Sequence, residues 1–380
     1  MISIDKLVQI GFTVLQATDI SKFFRNIGYA AKFTAADLVE GTTIPTDKIF
    51  KIDTTDSLKT IFKSDTQFYK DLECLLTQKG NAKPNQSNLN QVVVYQVTET
   101  DYGVAVDNFV KVNANWAQLT IDSRTDTDIE KAAAKALANA RLFVSQTSDE
   151  DVSTKAENNV AIKLAKANNA NTFFTYHGVD TESLATGLAA IQAQNQLGAV
   201  GPLYSTVTSV TPQDYTSTVN ANLDEQNVTY YSEVNPINGG GVSEYASPIV
   251  YGGYMINGED AKRRYIRFAL DLLLKAKSLD FLKKKLGYED VSANVLDSML
   301  TSVLIEAQRN NLVKKDTETK KGFELFVTPP SELQETEPTL YNSETYKVVG
   351  YYRDSKTGRK VQIDLYIDPT EAELNSLIGE

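Results

Sequence analysis

Short apolar segments alternate with amphipathic ones through the middle of the chain. The apolar segments are typical of strands and span residues 91–97, 142–145, 173–177, 203–210 and 228–234. The intervening segments have the spacing of helices and span residues 128–142, 154–167, 181–196 and 212–226. Strands that alternate with helices of this length favour βαβ units. We therefore expect an α/β fold with a mainly parallel, doubly wound core sheet.

The residues before this alternation give a weaker pattern. Two helices are predicted over residues 57–62 and 67–76, with good N-cap residues between them. The strand over residues 91–97 is apolar at nearly every position, which is typical of a strand buried on both faces. Residues 23–55 predict no element clearly.

The longest predicted helix follows a strand over residues 249–256 that contains two glycines. Asn257 or Asp260 can cap this helix, and Gly287 supplies its C-terminal stop. Its apolar residues recur at spacings of three and four and predict one buried stripe: Ile266, Leu270, Leu273, Leu274, Leu279, Phe281 and Leu282. A second helix over residues 290–311 and a strand over 323–328 follow.

The two ends of the chain predict amphipathic strands. Near the start, Val8, Ile10, Phe12 and Val14 alternate with other residues, and no hairpin turn follows directly. Near the end, residues 345–352 and 360–367 flank a loop-forming segment, and the second carries Val361, Ile363, Leu365 and Ile367 in alternation. We expect these strands to act as arms that pair with other subunits. The alternative is that the two C-terminal segments pair with each other in one subunit.

These patterns suggest four parts of the chain. An N-terminal arm takes residues 1–22, and an α/β core takes 23–247, with a candidate outward-facing subdomain at 91–235. An inner helical segment takes 248–330. A C-terminal linker and hairpin or arm takes 331–380.

Charge changes the interpretation of the long helix. The chain carries a net charge of −11, whereas residues 259–285 contain nine cations and four acids, a balance of +5. A solvated helix face and a docking surface for an acidic partner both fit this excess. The cations are Lys262, Arg263, Arg264, Arg267, Lys275, Lys277, Lys283, Lys284 and Lys285.

Composition excludes several chemistries. With one cysteine, Cys74, and one histidine, His177, the chain cannot assemble the usual soft-metal sites, catalytic triads or disulfides. Cys74 is predicted to be a buried apolar residue. His177 ends a predicted strand, where it serves either as a hydrogen-bonded structural residue or as a general base. Sites built only from carboxylates remain open.

Other patterns are absent from the sequence. It has no phosphate-binding P-loop and no dinucleotide fingerprint, so we expect no nucleotide cofactor. The acidic balance disfavours nucleic acid as a partner. No apolar run is long enough for a membrane helix, and the first residues lack the features of a signal peptide, so we expect a cytoplasmic protein that does not insert into membranes.

With these residues in view, the chain resembles the contractile tail sheath proteins of bacteriophages, in particular short sheath-like proteins that begin with a lone amphipathic strand. The resemblance is one of pattern and order. It is carried by residues 4–14, residues 68–97 with Pro84 and Asn85 before the buried strand, residues 115–120, residues 132–149 and residues 253–313.

The resemblance implies a structural protein rather than an enzyme. Six subunits would form a ring around a central tube, and stacked rings would contract to drive the tube through the host envelope. Neighbouring subunits would exchange their arm strands, and the cations of the long helix would face the tube. The implied partners are further copies, a tail tube protein, and baseplate and tail terminator proteins. The implied location is the virion tail, assembled in the host bacterial cytoplasm, with no cofactor.

One departure affects the tube-facing residues. The family usually places an aspartate and a tryptophan–leucine pair in the helix that starts here at Glu259, and this chain has neither pattern clearly. The register of its inner-face residues therefore stays open. Two alternatives compete with a sheath subunit: another phage or surface assembly protein, and a carboxylate-dependent enzyme on a doubly wound sheet.

Overall fold

The structure is a computed structural model that describes most of the chain. The described residues are 20–78, 89–194, 201–234, 247–283, 290–309, 312–315, 322–342 and 346–353. The predicted N-terminal arm strand and the predicted strand over residues 360–367 lie outside them.

The described residues contain ten strands and twelve α-helices. The strands are β1 (Asn26–Ala31), β2 (Ile49–Ile52), β3 (Gln91–Gln96), β4 (Gln118–Ile121), β5 (Leu142–Thr147), β6 (Thr172–Tyr176), β7 (Thr229–Val234), β8 (Ser247–Tyr251), β9 (Phe323–Thr328) and β10 (Lys347–Tyr352). The helices of the first two thirds are α1 (Ile20–Arg25), α2 (Thr55–Ile61), α3 (Gln67–Thr77), α4 (Tyr102–Val112), α5 (Asp126–Ala138), α6 (Glu150–Ser153), α7 (Val160–Lys166), α8 (Leu184–Gln194) and α9 (Ser217–Glu225). The helices of the last third are α10 (Ala261–Lys283), α11 (Asp290–Arg309) and α12 (Pro338–Asn342).

Eight strands form one sheet in the order β2-β3-β1-β4-β5-β6-β7-β8. The six strands from β3 to β7 in this order are parallel, and β2 and β8 run antiparallel at the two edges. The inner strands are buried, as expected for a parallel sheet with helices on its faces. The predicted α/β fold with a mainly parallel sheet is confirmed.

Each face of the sheet has its own hydrophobic core. One core contains residues of α1, α2, α3 and α8 and the first half of α10, and α8 is buried along its whole length. The other contains residues of α4, α5, α6, α7 and α9. Alternate residues of one strand enter opposite cores: Tyr29 of β1 lies in the first and Ala30 in the second. The sheet is therefore covered by helices on both faces, which is the doubly wound arrangement.

The predicted division of the chain stays a prediction, and several contacts cross its boundaries. The range 91–235, predicted as an outward-facing subdomain, contributes the five strands β3, β4, β5, β6 and β7 to the main sheet. β8 completes that sheet next to β7. The predicted linker after residue 330 contains a 3₁₀ turn, Pro330–Leu333, whose Leu333 is buried, and then α12.

Two predicted elements are wrong. Residues 203–210 were predicted as a strand, but they form turns, and Tyr204 and Ser209 have positive φ angles of 63° and 64°. The predicted helix over residues 154–167 begins too early: residues 154–159 form a break after α6, and only α7 is helical in this range. The break occurs because Lys155 and Asn158 adopt positive φ angles of 56° and 65°, which a helix cannot contain. Asn159 then caps α7 by accepting the Ile162 amide at 3.0 Å.

The central strand, β1, was not predicted. Its sequence contains Gly28 and Ala30 beside only two large apolar residues, Ile27 and Tyr29, so it shows no clear strand pattern. The small residue at 28 is required by packing. A Cβ on Gly28 would lie 2.7 Å from Cδ2 and 2.9 Å from Cε2 of Trp116, whose ring is completely buried. The middle of the sheet therefore depends on close contact between a glycine and an indole.

We predict that Gly28→Ala lowers the free energy of unfolding by roughly 1–3 kcal/mol, because the enclosed Trp116 ring has no room to move. Urea denaturation followed by far-UV circular dichroism measures the change. Gly178→Ala is the matched control, since its Cβ would meet its nearest atoms at 3.8 and 3.9 Å. Equal stability of the two variants would contradict this account of β1.

Candidate assembly interface

Helix α10 begins where the sequence predicts. The Asp260 carboxylate accepts the Arg263 amide at 3.0 Å, and Asn257 accepts the Glu259 amide at 3.2 Å, so both candidate capping residues act just before the helix. Gly252 and Gly253, which join β8 to this segment, have positive φ angles of 90° and 70°. A Cβ on Gly252 would lie 3.0 Å from the Cα of Thr229, so the backbone of Gly252 passes close to β7.

The apolar residues of α10 form two buried faces rather than the single predicted stripe. Tyr265 and Phe268 pack into the core of the main sheet. Ile266 and Leu270 pack on the other side, against residues of α11 and the β9–β10 hairpin. Nearer its end, Phe281 contacts a further cluster from α11. The helix therefore joins two hydrophobic units, which leaves little of its circumference for a solvated basic face.

Three of the predicted tube-facing cations make contacts inside the protein. Arg264 donates from Nη2 and Nε to Oδ1 of Asn171 at 2.6 and 3.1 Å, and burial lowers the pKa of its guanidinium. Arg267 donates to Glu259 at 2.8 Å. Lys275 is completely buried, with Nζ 3.7 Å from a carboxylate oxygen of Asp271. These contacts connect the helix to its own subunit.

The other predicted cations lie nearer to solvent. Lys262 and Arg263 are half-buried, whereas Lys277 and Lys283 are exposed. Nζ of Lys283 lies 3.9 Å from Asp280. Lys284 and Lys285 lie outside the described residues. No contact in the structure tests whether any of these residues faces a tube, so that role stays a prediction.

The β9–β10 hairpin presents a second candidate surface. Val349 pairs with Phe326 and Tyr351 with Glu324 in an antiparallel register. One face packs on α10 and α11 through a shared set of apolar residues: Phe323, Leu325, Val327 and Tyr352. The opposite face carries Phe326, Val349 and Tyr351, which are 59%, 51% and 51% exposed. The sequence signal for this surface was the presence of consecutive apolar residues, which places apolar groups on both faces.

The predicted arm residues are not tested by the structure. Val8, Ile10, Phe12, Val14, Val361, Ile363, Leu365 and Ile367 all lie outside the described residues. Of the two C-terminal segments, residues 347–352 pair with β9 of the same chain. The exchange of arms between subunits stays a prediction.

The carboxyl edge of the parallel sheet is where a carboxylate-dependent active site would lie in this fold. Asp71 is buried there and accepts hydrogen bonds from Tyr29 at 2.8 Å and Gln67 at 2.9 Å. Ser183 also donates to Asp71, and Arg124 lies 3.6 Å from it. Burial and the nearby carboxylate raise the pKa of Tyr29. The Asp71 carboxylate is thus surrounded by donors from the protein itself.

The single histidine joins the end of β6 to the next helix and to a distant loop. His177 is completely buried and lies 2.9 Å, through Nε2, from Oε2 of Glu182. Glu182 also accepts the amide of Thr211 at 2.6 Å and its hydroxyl at 2.7 Å. Burial lowers the pKa of His177 in spite of this carboxylate. Burial alone would raise the pKa of Glu182, but hydrogen bonds from Thr211 and His177 lower it. This geometry fits the structural role predicted for His177.

Two other ionisable groups are shielded from solvent, Cys74 completely and Asp122 in part. Cys74 packs in the core, and burial raises the pKa of its thiol to about 12, which fits the predicted apolar role. Burial raises the pKa of Asp122 to about 6, and the carboxylate accepts the Tyr102 hydroxyl and the Lys32 amide. Among the described residues, no cluster of histidine, cysteine and acidic side chains has the arrangement of a metal site. No helix in the described ranges is long and apolar enough to cross a membrane.

Comparison with known proteins identifies the fold. No profile of a known protein family matches the chain, and no curated protein matches it in sequence. The crystal structure of the sheath tail protein of Desulfitobacterium hafniense is similar, with a TM-score of 0.50 and 10% identity over 90% of this chain and 100% of that one. The sheath tail protein of Listeria innocua gives a TM-score of 0.47 and 8% identity over 88% and 99%. The similarity to the Desulfitobacterium hafniense structure confirms, at the level of the fold, the resemblance to tail sheath proteins seen in the sequence.

The buried histidine predicts a pH dependence of stability. Because the pKa of His177 is lower in the folded state than its usual 6.5, the unfolded chain binds the extra proton first. The contribution of His177 is therefore complete above about pH 6.5 and is lost as the pH falls through the folded pKa. We predict that His177→Gln loses less stability than the parent between pH 7.5 and pH 5, as measured by urea denaturation at both pH values.

Asp122 should change the pH dependence of stability in the opposite direction, so it serves as a control. Its pKa of about 6 in the folded state exceeds the value near 4 of an unfolded aspartate, so it stabilises the fold as the pH falls. Asp122→Asn should lose more stability than the parent over the same pH interval. A common shift of both variants in one direction would contradict the sign derived for one of the two groups.

Proposed function

We propose that this chain is the structural subunit of a contractile tail sheath. The observation that carries the proposal is the shared fold with a sheath tail protein over nearly the whole of both chains. The proposed subunit polymerises as stacked hexameric rings around a tail tube, and contraction drives the tube through the envelope of a host bacterium. Further copies, the tube protein, and baseplate and terminator proteins are its partners in the virion tail.

The polar groups at the carboxyl edge of the parallel sheet support a structural role, in which they hold neighbouring elements together. Its carboxylates, buried at Asp71 and half-buried at Asp122 and Glu182, accept hydrogen bonds from side chains and amides of the same chain. In an enzyme, such groups would be positioned to meet a substrate. Here they connect helix α3, the end of β6 and the loop at Thr211 to the sheet. Because the sequence has no phosphate-binding loop, the proposed function uses no bound nucleotide, and the free energy of contraction comes from contacts between subunits.

The terminal strands support polymerisation. A lone strand exposes a row of unpaired backbone groups and is marginal by itself in water, so the segment over residues 8–15 needs the edge of a sheet. The two-stranded β9–β10 sheet is a candidate acceptor because both of its strands are edge strands. Each backbone hydrogen bond at such a joint contributes roughly 1 kcal/mol net, and the contribution repeats at every lattice contact.

We predict that the purified full-length protein forms rings or tubes, and that deletion of residues 1–18 abolishes them. The truncated chain should stay folded, since the described core begins after this segment. Negative-stain electron microscopy measures the assembly, and circular dichroism checks the helix content. Tubes of normal length from the truncated chain would overturn the role of the arm, whereas a parent that stays monomeric at high concentration would overturn the sheath proposal itself.

The structure also sharpens the test of tube binding. Reversal of Arg264 and Arg267 would break contacts with Asn171 and Glu259, so their variants would confuse folding with binding. Lys277 and Lys283 are exposed and suit the experiment better. We predict that Lys277→Glu with Lys283→Glu leaves the unfolding midpoint unchanged and weakens co-sedimentation with tail tubes, more so at low salt.

A matched control is available on helices α2 and α3. Lys59→Glu with Lys70→Glu makes the same change in net charge on exposed residues of these two helices. This control should bind tubes like the parent. Equal weakening by both pairs would mean that net charge, and not this part of α10, governs tube binding.

A further inference from the structure

A cavity of about 380 Å³ opens at the surface beside the first turn of helix α3. This volume falls within the range of about 300–1,000 Å³ that small-molecule sites occupy. Phe62 and Val39 give the cavity an apolar part, and Phe62 is completely buried while Val39 is half-buried. The cavity can therefore remove the apolar body of a small ligand from water.

Backbone hydrogen bonds fix the walls of this cavity. Leu38 and Phe62 form an antiparallel bridge, and beside it the Lys63 amide donates to the Asp37 carbonyl at 2.9 Å. The start of α3 forms another part of the wall, where the Thr66 side chain caps the helix. The cavity is therefore formed before any ligand binds, as is usual for small-molecule sites.

Tyr69 contributes a hydrogen-bond donor to the cavity that it lines. Only 3% of this residue is exposed, and its hydroxyl has no hydrogen-bond partner among the residues that the structure describes. Burial and the nearby Glu73 raise the pKa of the phenol, so the hydroxyl keeps its proton at neutral pH. A largely buried donor of this kind is stabilised by an acceptor that enters the cavity.

The turn before α3 adds further donors. Ser64 and Asp65 line the cavity just before Thr66, the N-cap residue. Within the described part of the chain, neither the amide nor the hydroxyl of Ser64 bonds another residue. The N-terminal end of a helix also carries a partial positive charge. The donors and this charge together favour an anionic group.

The charged residues of the lining determine which anion fits. Lys63 donates from Nζ to the Ala36 carbonyl at 2.6 Å, which places its ammonium group and leaves further donors on it. Lys59 lies one helical turn before Lys63, and its Nζ is 3.8 Å from the exposed carboxylate of Asp56. Asp65 is the one acid in the lining, so the two lysines leave an excess of one positive charge. This excess matches one carboxylate.

We propose that this cavity binds a small carboxylate with an apolar body, of the arylacetate class. The carboxylate accepts hydrogen bonds from Lys63 and the Tyr69 hydroxyl, and the aryl group lies against Phe62. Asp65 repels a second negative charge and so disfavours dianions such as phosphate monoesters. The proposal goes beyond the tail sheath function and does not depend on it.

Titration of 4-fluorophenylacetate with the full-length protein tests the site, and the fluorine NMR linewidth of the ligand measures binding. We expect a Kd on the order of 1 mM, as for a ligand of this size. Lys63→Gln and Tyr69→Phe should each weaken binding roughly tenfold, because each removes a donor to the carboxylate. Lys70→Gln is the matched control, since Lys70 is exposed on α3 and does not line the cavity. The neutral amide of the same ligand should bind at least several-fold more weakly than the carboxylate.

Weaker binding by both cavity variants, with the control unchanged, supports the proposal. No broadening at several times the expected Kd, equal binding of the amide, or equal binding by the parent and the cavity variants overturns it. Asp65→Asn supplies a second measurement if a cavity variant unfolds, because Asp65 is exposed and its loss leaves the cavity wall in place. This variant should bind the carboxylate several-fold more tightly, since it removes a repelling charge, and unchanged or weaker binding would also overturn the proposal.

Discussion

Helix α10 must bury two apolar faces at once, and the rest of the molecule is arranged on its two sides. Tyr265 and Phe268 face the core of the main sheet, while Ile266 and Leu270 face α11 and the hairpin. A helix with this distribution of apolar residues cannot bury all of them against a single layer of structure. Its long cations fit between the two units because their aliphatic stems cover apolar surface while the charged ends reach polar partners, as Arg264 reaches Asn171.

The sequence predicts this fold where local pattern and burial agree. The strands β3, β5, β6 and β7 and the helices α5 and α8 follow from apolar runs and helical spacing. β1 does not, because its position at the centre of the sheet depends on the distant Trp116 ring, which needs a glycine opposite it. Residues 203–210 show the opposite error, because their pattern predicts a strand that does not form. Val207 and Val210 are buried in the core without pairing in a strand, so burial alone produces an apolar pattern.

The candidate site likewise contains features that the sequence predicts and features that it does not. The local excess of cations on α10 was visible in the sequence, but the burial of Lys275 was not, because both sides of the helix are covered by distant parts of the chain. The network around Asp71 gave no signal either. Its donors include Tyr29, 42 positions before it, and Ser183, 112 positions after it. Only the topology of the sheet brings them together, since the carboxyl ends of parallel strands meet at one edge.

The position of α10 also determines how the proposed lattice would act on the subunit. If strands from neighbours pair with the hairpin, a force on them reaches Phe323 and Leu325, then α10, and then the core, through contacts between side chains. Close-packed interiors have low compressibility and transmit strain instead of absorbing it. The core and the hairpin would then move as one body. Under the proposed function, the difference in free energy between extended and contracted states would then lie in the contacts between subunits.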